Sequence, residues 1–421
     1  MCKRVWWAVL VITTAACWCP PRVCAQVLYG SLVGNVTDLS GGAVPGAHVQ
    51  AMNSGTGLTR EAETNDRGAF AFSDLQAGVY DVKITAPSFA AFTKTGVVVS
   101  VNAVVRVDVP LQLASVTETV TVAAAATTLQ TDRAELRTEI TSSQFRDVPI
   151  PGGRNYQSLF RLIPGLTPPR PQNSLPANPQ ENLVTNVNGT TKSTNNTRID
   201  GASNTHVWLP QHSAYVPALE AIETVNVVTN SLDAEQGLAG GAAISVTIKS
   251  GTNDFHGSAF EHHTNSRLKA RNVFFNDARI PKNIQNQFGG TLGGPIVRNR
   301  LFFFGSHERT RRRQNFSRFV TIPTAPQRAG DFGSFGTAIY DPLTGTPTGA
   351  GRTAFANSLI PASRHSRVAR QIIELIPAPT RATLTDNYFA SAPLIFDRDT
   401  TDVKINWNRS SKFSMFGRYS F

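Results

Sequence analysis

Histidines are the side chains of this sequence best suited to metal binding or proton transfer. The eight are widely spread, at His48, His206, His212, His256, His262, His263, His307 and His365. His262 and His263 are adjacent, but neighbours on a strand point to opposite faces, so this pair would chelate a metal poorly. The sequence contains no His-Glu-x-x-His, Gly-x-Ser-x-Gly or Gly-x-x-x-x-Gly-Lys motif. It therefore predicts no metal, no cofactor and no catalytic site.

Charged side chains offer a second kind of chemistry. The segment "ERTRRRQNFSR" carries five arginines, at Arg309, Arg311, Arg312, Arg313 and Arg318. Such clusters occur in nucleic-acid-binding proteins, in loops or channel linings that meet anionic groups, and in ordinary solvated loops. Export, predicted below, disfavours nucleic acid, and a solvated loop is the favoured interpretation. We also predict that Glu220 and Glu223 lie on a helix face in solvent.

The N-terminus "MCKRVWWAVLVITTAACWCPPRVCAQ" is typical of a secretory signal peptide. Lys3 and Arg4 precede a short apolar run over residues 5–16, and a small-residue cleavage site ends at Ala25. Residues 1–25 are therefore the predicted signal peptide, with lipoprotein cleavage before Cys17 as the alternative. All four cysteines lie within it, so the mature chain is predicted to fold without disulfides.

Composition changes sharply near residue 250. Of the 24 phenylalanines, 18 lie at or after position 255, and net charge changes from −4 over residues 26–250 to +12 over residues 251–421. Beyond the signal peptide no apolar stretch reaches the length of a membrane helix. The exported chain is then soluble, anchored, or a membrane β-barrel.

Residues 28–113 show the alternation of a β-sandwich. Tyr80, Val82 and Ile84 alternate with polar residues, and "AVVRVDVPLQL" at 103–113 does the same. "NDRG" predicts a tight turn that places Phe70 and Phe72 on the next strand. Turns every 8–12 residues favour an antiparallel sandwich.

Residues 114–250 divide into an extended linker, 114–131, and a mixed α/β region, 132–250. Tyr156, Leu159, Phe160 and Ile163 are spaced as one apolar helix face, which Pro164 ends. "VPALEAIETVNVVTNS" predicts a helix leading into a strand. "GGAAISVTIKSGTNDFHGSAFE" predicts a hairpin.

Two groups of motifs carry a family resemblance. "GSLVGNVTDLSGGAVPGAHVQAMNSGTG" and "TNDRGAFAFSDLQAGVYDVKITAPSF" resemble the carboxypeptidase regulatory-like domain, a prealbumin-like sandwich. "VPIPGGRNYQSLFRLIPGL", "NGTTKSTNNTRIDG" and "NQFGGTLGGPIVRNRLFFFGSHERTR" are similar to the Oar-like group of TonB-dependent outer-membrane receptors. The sandwich is expected to be a spacer or interaction module without peptidase activity, with carbohydrate binding as the alternative.

The resemblance implies a mainly β fold in three parts: the sandwich, an α/β plug domain at 132–250, and the first strands of an outer-membrane barrel at 251–421. It implies a receptor or transporter, not an enzyme, in the outer membrane of a Gram-negative-type bacterium. Its expected partners are outer-membrane lipid, a periplasmic TonB-type energy-transducing protein, and a ligand such as an oligosaccharide or peptide. The alternative is an exported carbohydrate-binding or adhesion protein without transport activity.

The resemblance also assigns one binding segment. Within "TETVTVA", the residues Glu118, Thr119, Val120, Thr121 and Val122 resemble the TonB box, which binds the energy-transducing partner by adding a strand to its sheet. An inert extended linker is the alternative.

Length conflicts with a complete barrel of this family. Residues 251–421 hold an expected four to seven strands, whereas transporters of this type have about 22. An open sheet edge in lipid leaves backbone groups unpaired. We therefore expect a fragment, with a small eight-stranded barrel as the alternative.

Overall fold

The computed structural model describes residues 29–113, 119–123, 132–148, 150, 153–232, 234–237, 239–270 and 280–421. The predicted signal peptide and Glu118 lie outside these residues. Among them, no helix is long and apolar enough to cross a bilayer.

Two sheets packed face to face form the N-terminal sandwich. Its eight strands are β1 (Tyr29–Asp38), β2 (His48–Asn53), β3 (Thr59–Glu63), β4 (Ala69–Gln76), β5 (Gly78–Thr85), β6 (Ala91–Val99), β7 (Val104–Arg106) and β8 (Val109–Leu111). One sheet has the order β4-β1-β7, with β8 also paired to β1, and the other runs β3-β2-β5-β6 before a fifth strand described below.

The predicted alternation is confirmed in the sandwich core. Tyr80, Val82 and Ile84 are at most 1% exposed, and Phe70 and Phe72 meet edge to face with centroids 6.1 Å apart. The sheets are not wholly antiparallel as predicted, because β7 and β8 both run parallel to β1. Periodicity fixes which side chains are buried but carries no information on strand direction.

A ninth strand, β9 (Thr119–Ala123), extends the second sheet of the sandwich. It runs parallel to β6, with Thr119 opposite Ala91 and Ala123 opposite Thr95. The linker segment is therefore an edge strand of the sandwich.

A five-stranded mixed sheet organises the central domain, residues 132–250. The strands of this domain are β10 (Leu136–Thr141), β11 (Arg170–Pro171), β12 (Leu183–Val184), β13 (Asn196–Ile199), β14 (Ala202–Ser203), β15 (Ile222–Asn230) and β16 (Ala243–Ile248). Its helices are α1 (Ser142–Asp147) and the 3₁₀ turns Tyr156–Leu162, Leu175–Ala177, Lys192–Thr194, Leu219–Ala221 and Ala234–Gln236. The sheet order is β10-β15-β16-β13-β14.

The predicted apolar helix face is confirmed, although the helix has 3₁₀ form. Tyr156, Leu159, Phe160 and Ile163 are all at most 3% exposed, and the Asn155 side chain caps the first turn. Burial raises the pKa of the Tyr156 hydroxyl. The predicted helix before β15 is a single 3₁₀ turn.

Five long strands form the C-terminal sheet in sequence order. They are β17 (His256–Asn265), β18 (Asn283–Val297), β19 (Leu301–Val320), β20 (Tyr388–Ser410) and β21 (Phe413–Ser420). Between β17 and β18, and between β19 and β20, lie α2 (Ala325–Arg328), α3 (Arg367–Leu375) and the 3₁₀ turns Ser266–Leu268, Gly333–Phe335, Ala356–Ser358 and Ala362–Arg364.

Both strands predicted at 240–261 are present, but they do not pair with each other as a hairpin. The strand β16 pairs with β15 and β13 in the central sheet, whereas β17 begins the C-terminal sheet. Alternating side chains identify both strands, but only the tertiary partners decide which sheet each one joins.

The chain contacts divide the fold into two compact units. The larger comprises the chain up to Glu261 together with residues 287–309 and 398–421, and the smaller comprises residues 262–286 and 310–397. In the smaller unit, Arg328 donates hydrogen bonds to the carbonyls of Ile373 and Ile376 at the end of α3, at 3.3 and 2.9 Å. In the same unit, the pKa of Asp341 is lowered, mainly by a hydrogen bond from the backbone N–H of Leu343 and next by one from the Arg364 side chain.

The sandwich core predicts a contrast between two leucines. Replacing Leu32, which is fully buried in β1, by alanine should lower the free energy of unfolding of the sandwich by about 2–5 kcal/mol. The same change at Leu39, which is 72% exposed, should cost less than about 0.5 kcal/mol. Pulse proteolysis of the whole chain in a urea series measures both values. Equal losses at the two sites would contradict the described core.

Candidate functional site

The last two strands of the C-terminal sheet, β20 near Asp402 and β21, bury polar side chains and expose apolar ones. On β20, Asp402 and Lys404 are 0% and 5% exposed, whereas Val403 and Ile405 are 44% and 45% exposed. On β21, Met415 is likewise exposed. A sheet in a water-soluble protein has the opposite arrangement. A polar inner face and an apolar outer face are typical of a membrane β-barrel.

The first of two polar networks on the inner face centres on Asp200, directly after β13. The Lys404 ammonium lies 3.1 Å from Asp200 Oδ1, and Arg418 Nε lies 3.1 Å from Oδ2. The end of β16 closes the site, because Ile248 donates its N–H to Asp200 Oδ1 and its carbonyl accepts from Lys404 Nζ at 2.9 Å. Asp200 adopts a positive φ of 45°, a conformation that Asp tolerates better than most residues.

Asp402 extends this network. The Tyr215 hydroxyl donates to Asp402 Oδ2 at 2.8 Å, the Ser420 hydroxyl donates to Oδ1, and Arg418 Nη1 lies 3.6 Å from Oδ1. Burial, and then the Asp402 carboxylate, raise the pKa of Tyr215. Tyr215 therefore keeps its proton and remains a donor to Asp402.

Charge is balanced within the four ionisable groups. Asp200 and Asp402 supply two negative charges, and Lys404 and Arg418 supply two positive charges, all with side chains at most 15% exposed. Removing charges from water is costly, and pairing offsets that cost only when every partner is present. The network therefore fixes one arrangement of β13 and β16 against β20 and β21.

The second network centres on Glu308 of β19, which is 2% exposed. Gln287 Nε2 donates to Glu308 Oε1 at 2.8 Å and to the Gly153 carbonyl at 3.2 Å. Arg398 Nη2 lies 3.7 Å from Glu308 Oε1, and its Nη1 donates to the Gln180 carbonyl at 3.0 Å. Here too the sheet binds the central domain through buried polar groups.

Glu220 corrects a sequence prediction. Its carboxylate lies 2.6 Å from Arg154 Nη2, and both side chains are at most 16% exposed. It is therefore buried in an ion pair and not solvated. Glu223 is exposed as predicted, although it lies on β15.

The segment predicted to bind the periplasmic partner coincides with β9. Thr119 to Val122 form its first four residues, and Thr121 and Val122 are exposed. Glu118 lies outside the described residues. An exposed edge strand offers unpaired backbone groups to an added strand.

Comparisons with known proteins agree with this architecture. The carboxypeptidase regulatory-like domain matches residues 31–112, and the outer membrane beta barrel domain matches residues 247–421. The TonB-dependent transporter Oar of Myxococcus xanthus is 26% identical over 305 residues, which are 67% of this chain and 27% of the relative. The chain thus contains a carboxypeptidase regulatory-like domain and an outer membrane beta barrel domain, and it is similar to a TonB-dependent outer-membrane transporter.

The chain spans about a quarter of the length of the curated relative it matches. Among solved structures it is similar to the outer-membrane transporter YddB of Escherichia coli, with 14% identity, TM-score 0.39, and coverage of 66% of this chain and 31% of that one. The ferric enterobactin receptor PfeA of Pseudomonas aeruginosa gives 12% identity, TM-score 0.36, and coverage of 68% and 32%. The similarity to TonB-dependent transporters rests on the barrel-domain match and the curated relative. The mainly β fold, with its sandwich and barrel domain, is confirmed.

The histidines in the described part of the chain form no metal-binding cluster. Within the described ranges, no three His, Cys, Asp or Glu side chains are grouped so that they could hold a metal ion. His263 Nδ1 hydrogen-bonds to Asn286 at 2.6 Å. Burial lowers the pKa of His212, whose Nε2 lies 3.2 Å from the Asn173 side-chain nitrogen.

The arginine-rich segment is not a solvated loop as predicted. It lies on β19, where Arg309 pairs with Asp399 at 3.5 Å and Arg313 pairs with Asp397 at 2.7 Å. Asp397 and Asp399, alternate residues of β20, thus pair with two of its five arginines. No sequence argument linked the two segments, because about 90 residues separate them.

The buried ion networks were not predicted from the sequence. Asp402, Lys404 and Arg418 lie in "TTDVKINWNRSSKFSMFGRYSF", a segment used only for its family likeness. One signal was available: "DVKI" alternates charged with apolar residues over one strand. Combined with export, that pattern indicates a polar channel side and an apolar lipid side.

The Asp200 network predicts unequal effects of two lysine substitutions. Lys404→Met should destabilise the larger unit by about 3–5 kcal/mol, because it leaves a buried carboxylate short of a partner. Lys412→Met, in the exposed turn after β20, should change stability by less than about 0.5 kcal/mol. Urea-dependent proteolysis in detergent micelles measures both changes in stability. The double variant Lys404→Met/Asp200→Asn should lose less stability than the sum of the losses in the two single variants. Strict additivity would contradict the pairing.

Proposed function

We propose that this chain acts as a TonB-dependent receptor and transporter in the outer membrane, with the central domain as its plug. The observation that carries the proposal is the polarity of the C-terminal sheet, which turns Asp402 and Lys404 inward and Val403 and Ile405 outward. Such a sheet is stable only with hydrocarbon on one side and polar groups on the other. The central domain supplies those polar groups.

The plug assignment follows from where the buried charges meet. Asp200 of the central domain pairs with Lys404 and Arg418 of the barrel strands, and the Gly153 and Gln180 carbonyls accept bonds from Gln287 and Arg398. Contacts of this kind are specific but contain little apolar burial. They hold a domain inside a polar barrel and can be exchanged for water when it moves.

Ligand uptake needs an exposed recognition surface and no chemistry in this chain. In the central domain, Val207 and Trp208 are 86% and 85% exposed. His206 Nδ1 accepts the N–H groups of Trp208 and Leu209 at 3.3 and 3.2 Å, which orders the loop. An exposed indole on an ordered loop can stack on a sugar or on a peptide side chain. An oligosaccharide or peptide is therefore the proposed ligand class, and the chain is not an enzyme.

Energy enters through β9. The proposed partner is a periplasmic TonB-type protein that adds a strand to residues 119–122 and pulls. The tension would pass along the linker to β10, an edge strand of the central sheet. Opening this edge changes the plug without any covalent step.

The lipid-facing role of β20 has a direct test. Val403→Arg should lower the amount of chain recovered in the outer membrane severalfold, because arginine facing hydrocarbon costs about 2–4 kcal/mol at the bilayer midplane. Val403→Leu is the matched control and should behave as wild type. Cell fractionation with detergent extraction measures both. Recovery of the wild-type chain in the soluble periplasm would contradict the proposal and favour an exported binding protein.

Strand addition predicts that a backbone N–H in β9 is essential. Thr121→Pro removes that donor and should weaken binding of the partner's purified periplasmic domain at least tenfold. Thr121→Val keeps the donor and the strand propensity and should bind normally. Biolayer interferometry on the detergent-purified chain measures both affinities. Equal binding by both variants would exclude β9 as the contact segment.

A further inference from the structure

Two exposed apolar side chains of the central domain lie at the tip of a closed loop, residues 205–213. Val207 and Trp208 are 86% and 85% exposed there. Thr205 and Ser213 form an antiparallel bridge that closes the loop at its base. The loop is therefore a defined turn that holds an indole out into solvent.

Uncharged amide groups hold the base of this loop. Asn182, which is fully buried, accepts the Ser213 N–H at 3.1 Å and donates to the Gln211 carbonyl at 3.3 Å. Asn204 Oδ1 accepts the Tyr215 N–H at 3.0 Å, and its Nδ2 donates to the Tyr215 carbonyl at 2.7 Å. Because carboxamide side chains do not gain or lose protons in this way, the contacts at the base do not depend on pH.

The tip of the loop is held differently, by an imidazole. His206 Nδ1 accepts the backbone N–H groups of Trp208 and Leu209, at 3.3 and 3.2 Å. A backbone N–H can only donate, so Nδ1 is unprotonated and the proton of the neutral ring lies on Nε2. A second proton, placed on Nδ1, would turn this acceptor into a donor that faces two other donors.

The histidine on the returning limb of the loop is protected from protonation. In the described part of the chain, the titratable groups that act on His212 are His206 and Lys192, which lies in the 3₁₀ turn Lys192–Thr194. Burial, then His206, then Lys192 lower the pKa of His212. The His212 carbonyl also accepts the His206 N–H at 2.8 Å, a contact between backbone groups that do not titrate. The tip contacts of the His206 ring are therefore the ones in this loop that protonation reverses.

We propose that His206 is a pH-sensitive positioning residue, which holds Trp208 in one orientation while Nδ1 is unprotonated and releases the tip when Nδ1 gains a proton. The base of the loop stays folded in both states. The inference rests on the proposed function, in which Trp208 contacts an oligosaccharide or peptide, and it adds regulation to that site. The ordered tip binds only the unprotonated Nδ1, so its stability falls as pH falls and recognition is strongest near neutral pH.

Hydrogen exchange on the whole chain in detergent micelles tests this switch, after correction of the rates for the intrinsic effect of pH. Between about pH 7.5 and about pH 5, the range in which histidine changes charge, protection of the Trp208 and Leu209 amides should fall. The expected loss is at least about fivefold, as for removal of one hydrogen bond of ordinary strength. Amides of β16 should keep their protection. Equal protection of the two tip amides at both pH values, or an equal fall in β16, overturns the proposal.

Replacing the imidazole by an amide identifies the sensor. In His206→Asn the Asn Oδ1 can accept the same N–H groups, as in an Asx turn, but it does not titrate. This variant should keep the tip protected at both pH values, whereas His206→Ala should leave it unprotected at both. His48→Asn, which removes an exposed histidine of β2, is the matched control and should respond to pH as wild type does. A His206→Asn chain that loses protection in acid as wild type does overturns the proposal, because another group would then be the sensor.

The exchange measurement needs neither ligand nor partner, so it separates this proposal from the proposed function. Failure of the pH response overturns the role of His206 as a switch and leaves the proposed function intact. Recovery of the wild-type chain in the soluble periplasm contradicts the proposed function, and the exchange of the Trp208 and Leu209 amides still decides whether the tip responds to pH.

Discussion

Buried charge is the constraint on which the rest of this structure depends. Asp200, Asp402, Lys404 and Arg418 are held away from water between the central domain and the barrel strands, with a net charge of zero. Such a group contributes little to stability compared with an apolar core of equal volume, but it penalises any arrangement in which one partner is missing. It therefore specifies position: β20 and β21 have one permitted register against the ends of β13 and β16. Next to these inward charges, the alternate positions Val403 and Ile405 are exposed and apolar.

Local periodicity explains what could be predicted from the sequence and what could not. Alternation located Tyr80, Val82 and Ile84 in the sandwich core, and helical spacing placed Tyr156, Leu159 and Phe160 on one buried face. Both are properties of short segments, because the direction of each side chain along a helix or strand is set by the local backbone geometry. The partners of those segments are not encoded locally. Asp200 and Lys404 lie 204 residues apart in the sequence. Neither segment contains a pattern that predicts its contact with the other.

The errors have the same origin. The residues around Glu220 in the sequence suggested an exposed carboxylate. In the structure it pairs with Arg154, which lies 66 residues away in the sequence. The strands β16 and β17 have the spacing of a hairpin, but each finds a better partner in a different sheet. The arginines of β19 were predicted to form a solvated cluster. Two of them instead pair with Asp397 and Asp399 of the neighbouring strand β20. In each case a long-range charge or ladder partner overrode a sound local expectation.

The order of the central sheet separates the part that can move from the part that is held. β10 lies at one edge, at the end of the linker, and is attached to β15 by its ladder and by Arg137, whose Nη2 donates to Asn226 Oδ1 at 2.7 Å. The Asp200 network binds β13 and β16, on the far side of β15. Under the proposed function, tension applied to the chain ahead of β10 acts first on an edge strand, while the buried charges hold the opposite half of the sheet to the barrel strands.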